Sequence, residues 1–170
     1  LVSNCRIDFS SKALDRALVA LRAVLNTTTR TRLHWWIIGD GPDMSALRKL
    51  VEALDLGAHV TLLGRLDNPF PVLRLMDVFF IPSVYEGKPM AVTEAQILGL
   101  PVLATNYASA SEQVQDGVDG LIVDNNEAGV VAGLTIMAND PSLAETWAAG
   151  IADRDFGPTA TRQRVESLLA

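Results

Sequence analysis

Five short apolar runs, Leu33-His34-Trp35-Trp36-Ile37-Ile38, Val60-Thr61-Leu62-Leu63, Val78-Phe79-Phe80-Ile81, Pro101-Val102-Leu103-Ala104-Thr105 and Gly120-Leu121-Ile122-Val123, are each bounded by Gly, Pro, Asp or Asn. Between them the apolar residues recur at helical spacing. Leu14, Leu18, Leu21 and Leu25 share one helix face, and Leu47, Leu50, Val51 and Leu54 share another. A run that is apolar at every position needs cover on both faces, which an antiparallel sheet with one wet side does not give. Strand and helix in alternation supply that cover through crossover helices, so the pattern predicts a parallel sheet with helices on both sides.

Leu1 to Arg6 reads as a further, opening strand, which makes about six strands in one Rossmann-like, doubly wound α/β domain spanning 1–170. Gly57 stands where a glycine would end the helix that carries Leu47 to Leu54. Beyond Asp124 the pattern becomes purely helical: Glu127 to Ala138, then Pro141 at a first-turn position leading to Ile151, and finally Pro158 to Leu169. No internal repeat, low-complexity segment or linker interrupts the chain.

At 170 residues with 49% apolar content, the chain is one domain's worth of material with enough apolar surface for a substantial core. Its formal net charge of −6 and the absence of a Lys/Arg cluster argue against nucleic acid as a partner. Any phosphate recognised here must be met locally. Cys5 is the only cysteine, which excludes an internal disulfide and a cysteine-based metal site and agrees with a reducing compartment, the cytoplasm by default. Every apolar stretch is broken before the roughly 18 residues needed to cross a bilayer. Peripheral membrane contact on the cytoplasmic face stays open. The chain begins without an initiator methionine or signal-peptide pattern and reads as a piece of something longer.

The densest chemistry lies in Tyr85-Glu86-Gly87-Lys88-Pro89-Met90-Ala91-Val92-Thr93-Glu94-Ala95, directly after the apolar run that ends at Ile81-Pro82. Met90 to Leu98 reads as a short helix, with Glu86 in the loop before it and Glu94 on its second turn, both expected to reach one crevice. Open α/β sheets bind ligands beyond the carboxyl ends of their strands, where the first N–H groups of the next helix also point outward. A diphosphate suits such amides. Carboxylates beside it would repel it, and their natural partners are neutral pairs of hydroxyls. A nucleoside-diphosphate sugar carries two such pairs, one on its sugar and one on its ribose. The plainer reading makes both glutamates solvated acids near a helix N-terminus, where negative charge is favoured by roughly 0.3–1 kcal/mol.

Seven ordered segments resemble the C-terminal, donor-binding half of the retaining family-4 glycosyltransferases of GT-B architecture. They are Cys5-Arg6-Ile7-Asp8 through Lys12, Ile38-Gly39-Asp40-Gly41-Pro42, Val60 to Gly64, Asp77 to Ser83, Glu86 to Glu94, Gly99 to Thr105, and Glu112 to Val123. The resemblance implies that Arg6 and Lys12 hold the donor diphosphate and that Glu86 contacts the donor sugar. It also implies that Glu94 accepts hydrogen bonds from the ribose. Gly87, Lys88, Pro89, Met90 and Ala91 would then lie along the sugar and phosphate, with the base against Gly64, Arg65 and Leu66. Arg65 either stacks or is merely exposed, and Asp67 to Pro71 borders that region. The usual Glu-Gly-Phe-Gly is Glu86-Gly87-Lys88-Pro89 in this chain. Proline removes a donor at position 89, and Lys88 either supplies a contact with its ammonium or points to solvent.

The reaction so implied is retaining transfer of a glycosyl group from a nucleotide sugar, a UDP- or GDP-sugar, to a hydroxyl acceptor, in polysaccharide or glycoconjugate synthesis. Catalysis would be mainly electrostatic: Arg6, Lys12 and the helix start at Met90 meet the departing diphosphate while Glu86 and Glu94 orient the donor. No cofactor and no metal is implied. The acceptor would sit mostly on an N-terminal domain of the full-length protein that is absent from this chain, so the fragment alone is expected to be inactive as a transferase. Two alternatives stand beside this one, a sugar-nucleotide epimerase of the same architecture and a non-catalytic α/β binding module. Asp153-Arg154-Asp155 and Asp155-Phe156-Gly157 echo motifs of other folds but lack their context. His34 and His59 read as structural.

Overall fold

Six parallel strands form one sheet in the order β3-β2-β1-β4-β5-β6. They are β1 (Val2–Asn4), β2 (Trp35–Ile38), β3 (Val60–Gly64), β4 (Phe79–Ile81), β5 (Val102–Thr105) and β6 (Gly120–Val123). The helices are α1 (Phe9–Lys12), α2 (Leu14–Thr27), α3 (Met44–Ala53), α4 (Phe70–Leu73), α5 (Met90–Ile97), α6 (Ala110–Gln113), α7 (Glu127–Asn139), α8 (Ser142–Ala152) and α9 (Ala160–Leu169). This computed structural model describes residues 1–28, 33–152, 154, 156 and 160–169. Among the described residues no helix is long and apolar enough to cross a membrane.

The strand sequence reverses direction at β1, which pairs with β2 on one side and β4 on the other. Loops leaving β1 and β4 therefore diverge to opposite faces, and a crevice opens between them at the carboxyl end of the sheet. The core lies in two layers that the pleat separates residue by residue. Phe80, Trp35, Ile37 and Leu103 pack with Leu14, Leu18, Leu21, Val130 and Leu134 of α2 and α7. Phe79, Ile81, Ile38, Val102 and Ala104 face the other way, onto Phe70, Val92, Ala95 and Val165 of α4, α5 and α9. The apolar runs are thus continuous in sequence because both faces are covered.

The structure corrects the expected boundaries in several places. β1 stops at Asn4, not Arg6: Cys5 N–H makes a last bond to Ile38 O of β2, and Ile7 N–H turns to Asp40 O in the β2–α3 turn. Gly57 does not end α3. Asp55 takes the left-handed conformation at φ 50°. Its N–H bonds Glu52 O at 3.0 Å, and Leu56 N–H reaches Val51 O at 2.9 Å while its side chain is buried with Val51. Pro141 lies just before α8, which starts at Ser142, and the expected start at Pro158 lies outside the described residues. The short helices α1, α4 and α6 have four residues each, too few to leave a periodic signal.

Gly39-Asp40-Gly41-Pro42 anchors the neighbouring loop. Cys5 N–H bonds Ile38 O at 3.0 Å, Ile7 N–H bonds Asp40 O at 3.0 Å, and Asp43 N–H bonds Ile7 O at 3.2 Å. Two backbones approach so closely that a Cβ on Gly39 would lie 1.8 Å from Cys5 O, and one on Gly41 2.3 Å from Ile7 O. Gly39 also sits at φ 136°, which side chains rarely adopt. Replacing Gly39 with Ala is expected to cost about 3 kcal/mol or more, by strain and collision together. Urea unfolding followed by circular dichroism measures this, and a loss under about 1 kcal/mol would show that the contact can relax.

Candidate functional site

The chain enters the crevice through a sharply folded junction. Asp8 caps α1, its Oδ1 accepting from Ser10 N–H at 3.0 Å and from Ser10 Oγ at 2.6 Å. Asp43 Oδ2 takes Phe9 N–H at 2.8 Å. After one turn the helix ends at Lys12, and buried Ala13 bends the chain through the left-handed region at φ 48° to begin α2. A non-glycine residue held there is strained by roughly 1–2 kcal/mol, which the packing on both sides has to overcome. Lys12 is thereby placed at the mouth of the crevice.

The facing loop is tied to the same junction. Ser11 O accepts Val84 N–H at 2.8 Å. Arg16 of α2 donates to Pro82 O at 2.9 Å and to Asn125 Oδ1 at 2.8 Å, and Asn125 Nδ2 donates to Val84 O at 2.9 Å. Glu86 is held across the gap: Lys12 Nζ lies 2.6 Å from Glu86 Oε1, and Ser83 Oγ donates to the same oxygen at 2.7 Å. With side-chain exposures of 20% and 10%, this ion pair is well shielded and stronger than a surface pair. Cys5, at the base of the cleft, has its thiol pushed up to about 12, by burial first, with Lys12 opposing and Glu86 adding. It stays protonated at neutral pH and does not compete for Lys12.

α5 starts against this pair. Pro89, extended at φ −65° and ψ 118°, precedes its first residue. Pro89 O accepts Val92 N–H at 3.2 Å, while the N–H groups of Met90 and Ala91 have no acceptor among the described residues. Lys12, Ser83, Glu86, Pro89, Met90 and Ala91 together line a cleft of about 180 Å³. A cation, a carboxylate and a helix N-terminus thus converge between β1 and β4, a set suited to an anion flanked by hydroxyl groups. Among the described residues no cluster of three or more His, Cys, Asp or Glu could hold a metal ion.

The remaining expected residues lie elsewhere. Arg6 is exposed in the β1–α1 loop and acts on Asp8, helping to hold its carboxyl below the usual range, though Ser10's hydroxyl contributes most. Gly87 and Lys88 are exposed on the loop before α5 and do not line the cleft. Gly64 ends β3 at φ 71° and bonds back to Gly39 N–H at 2.8 Å, with Arg65 exposed and Leu66 half-buried beyond it. Glu94 is not among the residues that line this cleft. It is 6% exposed, one helical turn or about 6 Å deeper along α5, and its Oε1 lies 3.7 Å from Arg164 Nη1 of α9. Burial raises its carboxyl above the ordinary 4.5, and Arg164 opposes that only in part.

Sequence reading missed Ser83, Arg16, Asn125 and Arg164. Ser83 alone had a local signal, standing at the carboxyl end of a strand beside the motif. The others act from helices and loops distant in sequence.

Strand order and cleft position define a doubly wound, Rossmann-like α/β domain. The chain belongs to the family described as Glycosyl transferases group 1, which it matches over residues 1–140. It is 31% identical over 137 residues to an uncharacterized glycosyltransferase of Haemophilus influenzae, covering 79% of this chain and 38% of that protein. It is 30% identical over 132 residues to the lipopolysaccharide core biosynthesis glycosyltransferase LpsD of Rhizobium meliloti, covering 77% and 37%. The chain thus spans under two fifths of these relatives. Its fold superimposes on that of S. aureus TarM, solved in complex with fondaparinux, α-GlcNAc-glycerol and UDP. The TM-score is 0.82 at 20% identity, over 99% of this chain and 34% of TarM. Anabaena HepE, solved with UDP and glucose, gives 0.78 at 20% identity over 99% and 47%. At such identities the likeness establishes the GT-B-type fold.

The raised Glu94 carboxyl has a testable sign. A group whose folded value lies above its unfolded one adds stability below the unfolded value, and that stability is lost as pH rises through the folded one. Glu94→Gln has no such titration. Its melting temperature is expected to equal or exceed the parent's at pH 7, with the gap closing as pH falls to about 4. Parallel profiles in a pH series of thermal melts would mean that Arg164 compensates the burial fully.

Proposed function

We propose that the chain is the donor-binding domain of a glycosyltransferase that moves a sugar, with retention, from a nucleotide-diphosphate sugar to a hydroxyl acceptor in polysaccharide or glycoconjugate synthesis. The observation that carries this reading is the convergence of Lys12, Glu86 and the first amides of α5 at the switch point between β1 and β4. Family membership and the lipopolysaccharide and polysaccharide biosynthesis named for relatives support it, as do the UDP complexes of two proteins with the same fold.

In this reading Lys12 and the Met90 and Ala91 amides meet the diphosphate, and Arg6, exposed on the same junction, closes on it from solvent. Glu86 accepts from hydroxyls of the sugar. Glu94, one turn further on, takes the ribose, with Gly64, Arg65 and Leu66 bordering the base. Lys12 shares itself between Glu86 and phosphate, so charge developing on the leaving diphosphate draws it away from the carboxylate. The cation then strengthens its contact as the bond breaks, which is what lowers a barrier. The acceptor falls to an N-terminal domain of the longer protein, and membrane contact belongs to that whole protein.

Calorimetric titration of the chain with UDP, GDP, their sugars and uridine tests the reading. Binding of UDP or GDP is expected, with Lys12→Ala and Arg6→Ala each weakening it about tenfold and leaving uridine within about twofold. Absence of heat with every diphosphate ligand on folded protein would refute the proposal. Equal losses for UDP and uridine would remove the substituted residue from the phosphate site.

A further inference from the structure

α6 has no place in the chemistry proposed above, yet two of its side chains reach the loop that opens α5. Ser109, at its N-terminal flank and 9% exposed, donates its hydroxyl to Gly87 O. Gln113, its last residue and 3% exposed, donates Nε2 to Pro89 O and to Thr93 Oγ1, each at 3.2 Å. Gln113 is itself pinned, since its main-chain carbonyl accepts Gln96 Nε2 at 2.8 Å and Arg154 Nη1 at 2.7 Å. The amide's orientation follows from its partners: turned over, it would set Oε1 against the Pro89 carbonyl.

Its Oε1 is buried without a partner. An unpaired acceptor in the interior is unfavourable, and an apolar side chain of similar volume would fill the position without it. Packing alone therefore does not account for glutamine at 113. The geometry of a trans peptide does. The N–H of each peptide unit points opposite to its C=O. Drawing Gly87 O and Pro89 O toward α6 aims the N–H groups of Lys88 and Met90 away from α6. Met90 is one of the residues that line the cleft. Proline at 89 adds no donor of its own, so the loop's remaining amides have to be oriented from outside.

We propose that Ser109 and Gln113 are positioning residues of the donor site, fixing the loop that presents the Met90 amide to the phosphate and sugar oxygens of a nucleotide sugar. The proposal rests on the donor-site reading of the cleft. α6 thereby links the site to the far edge of the sheet, through Gln113, Arg154 and the buried Asp119 with which Arg154 is ion-paired.

Gln113→Met keeps the side chain's length and removes its donor, and Ser109→Ala tests the other contact should the first variant fail to fold. Hydrogen exchange without ligand is expected to quicken at Val92, whose N–H bonds Pro89 O, in either variant and stay unchanged in the strands. Calorimetry is expected to show UDP weakened about five- to tenfold with uridine unchanged. Unchanged exchange at Val92, or parallel losses for UDP and uridine, would overturn the proposal. If the parent chain binds no UDP, the donor-site reading falls by itself. The exchange data still decide whether these side chains fix the loop.

Discussion

The site depends on two backbones touching where no side chain intervenes. Gly39 and Gly41 let the β2–α3 turn lie directly on Cys5 and Ile7, and three main-chain hydrogen bonds fasten them. That contact ends β1 early, sends the chain into a one-turn helix and forces the left-handed step at Ala13. Lys12 is the residue immediately before that step. Its position is thus set by the backbone course of a strand pair, with its own rotamer free to reach Glu86. A cation held in this way can meet charge arriving in the cleft without reorganising the scaffold, which is the condition under which fixed charges contribute most.

Net charge and local charge have opposite signs in this chain. With a formal net charge of −6 the surface as a whole repels a diphosphate, so any attraction has to be built within the Debye length of the cleft. The Lys12–Glu86 pair and the α5 amides supply it at short range, where shielding from water strengthens each contact. Pairing Lys12 with Glu86 also spares the protein an isolated half-buried charge on either side. On the donor-site reading, the same pair releases its cation to phosphate and its carboxylate to hydroxyls when both arrive together. A bare anion satisfies only Lys12 and leaves Glu86 with Ser83, so the arrangement favours a ligand carrying both chemistries.

Much of the fold was legible because the sheet is covered on both faces. Runs such as Val78 to Ile81 and Pro101 to Thr105 are apolar at every position, and helical spacing between them fixed the α/β class. The lining of the cleft was legible where its residues are close in sequence, as with Glu86, Pro89, Met90 and Ala91 but not Gly87 or Lys88, and the resemblance added Lys12 across the sheet. It was illegible where partners come from other elements. Nothing local marks Arg16, Asn125 or Gln113, each of which acts through a main-chain carbonyl whose direction only the folded backbone determines. Gly57 failed as a helix stop for a related reason: an aspartate can take the left-handed position when the next residue, Leu56, gains a buried contact.

Glu94 illustrates how far a motif can be read before packing intervenes. Its spacing from Glu86 puts it on the correct helix, yet α9 decides its environment. Arg164 lies 3.7 Å from the carboxylate and 6.0 Å above the Phe70 ring, Val165 is fully buried beneath, and Asn68 Nδ2 holds Leu168 O at 2.8 Å. α9 therefore braces the α4–α5 face and places a guanidinium beside Glu94 at once. Burial pushes Glu94 toward the neutral acid and Arg164 toward the carboxylate. Glu86 is paired with Lys12 at 2.6 Å and with the Ser83 hydroxyl at 2.7 Å. Two glutamates of one motif are in this way given different tasks by their neighbours, one paired with a lysine at the cleft and one governed by the helix packed against it.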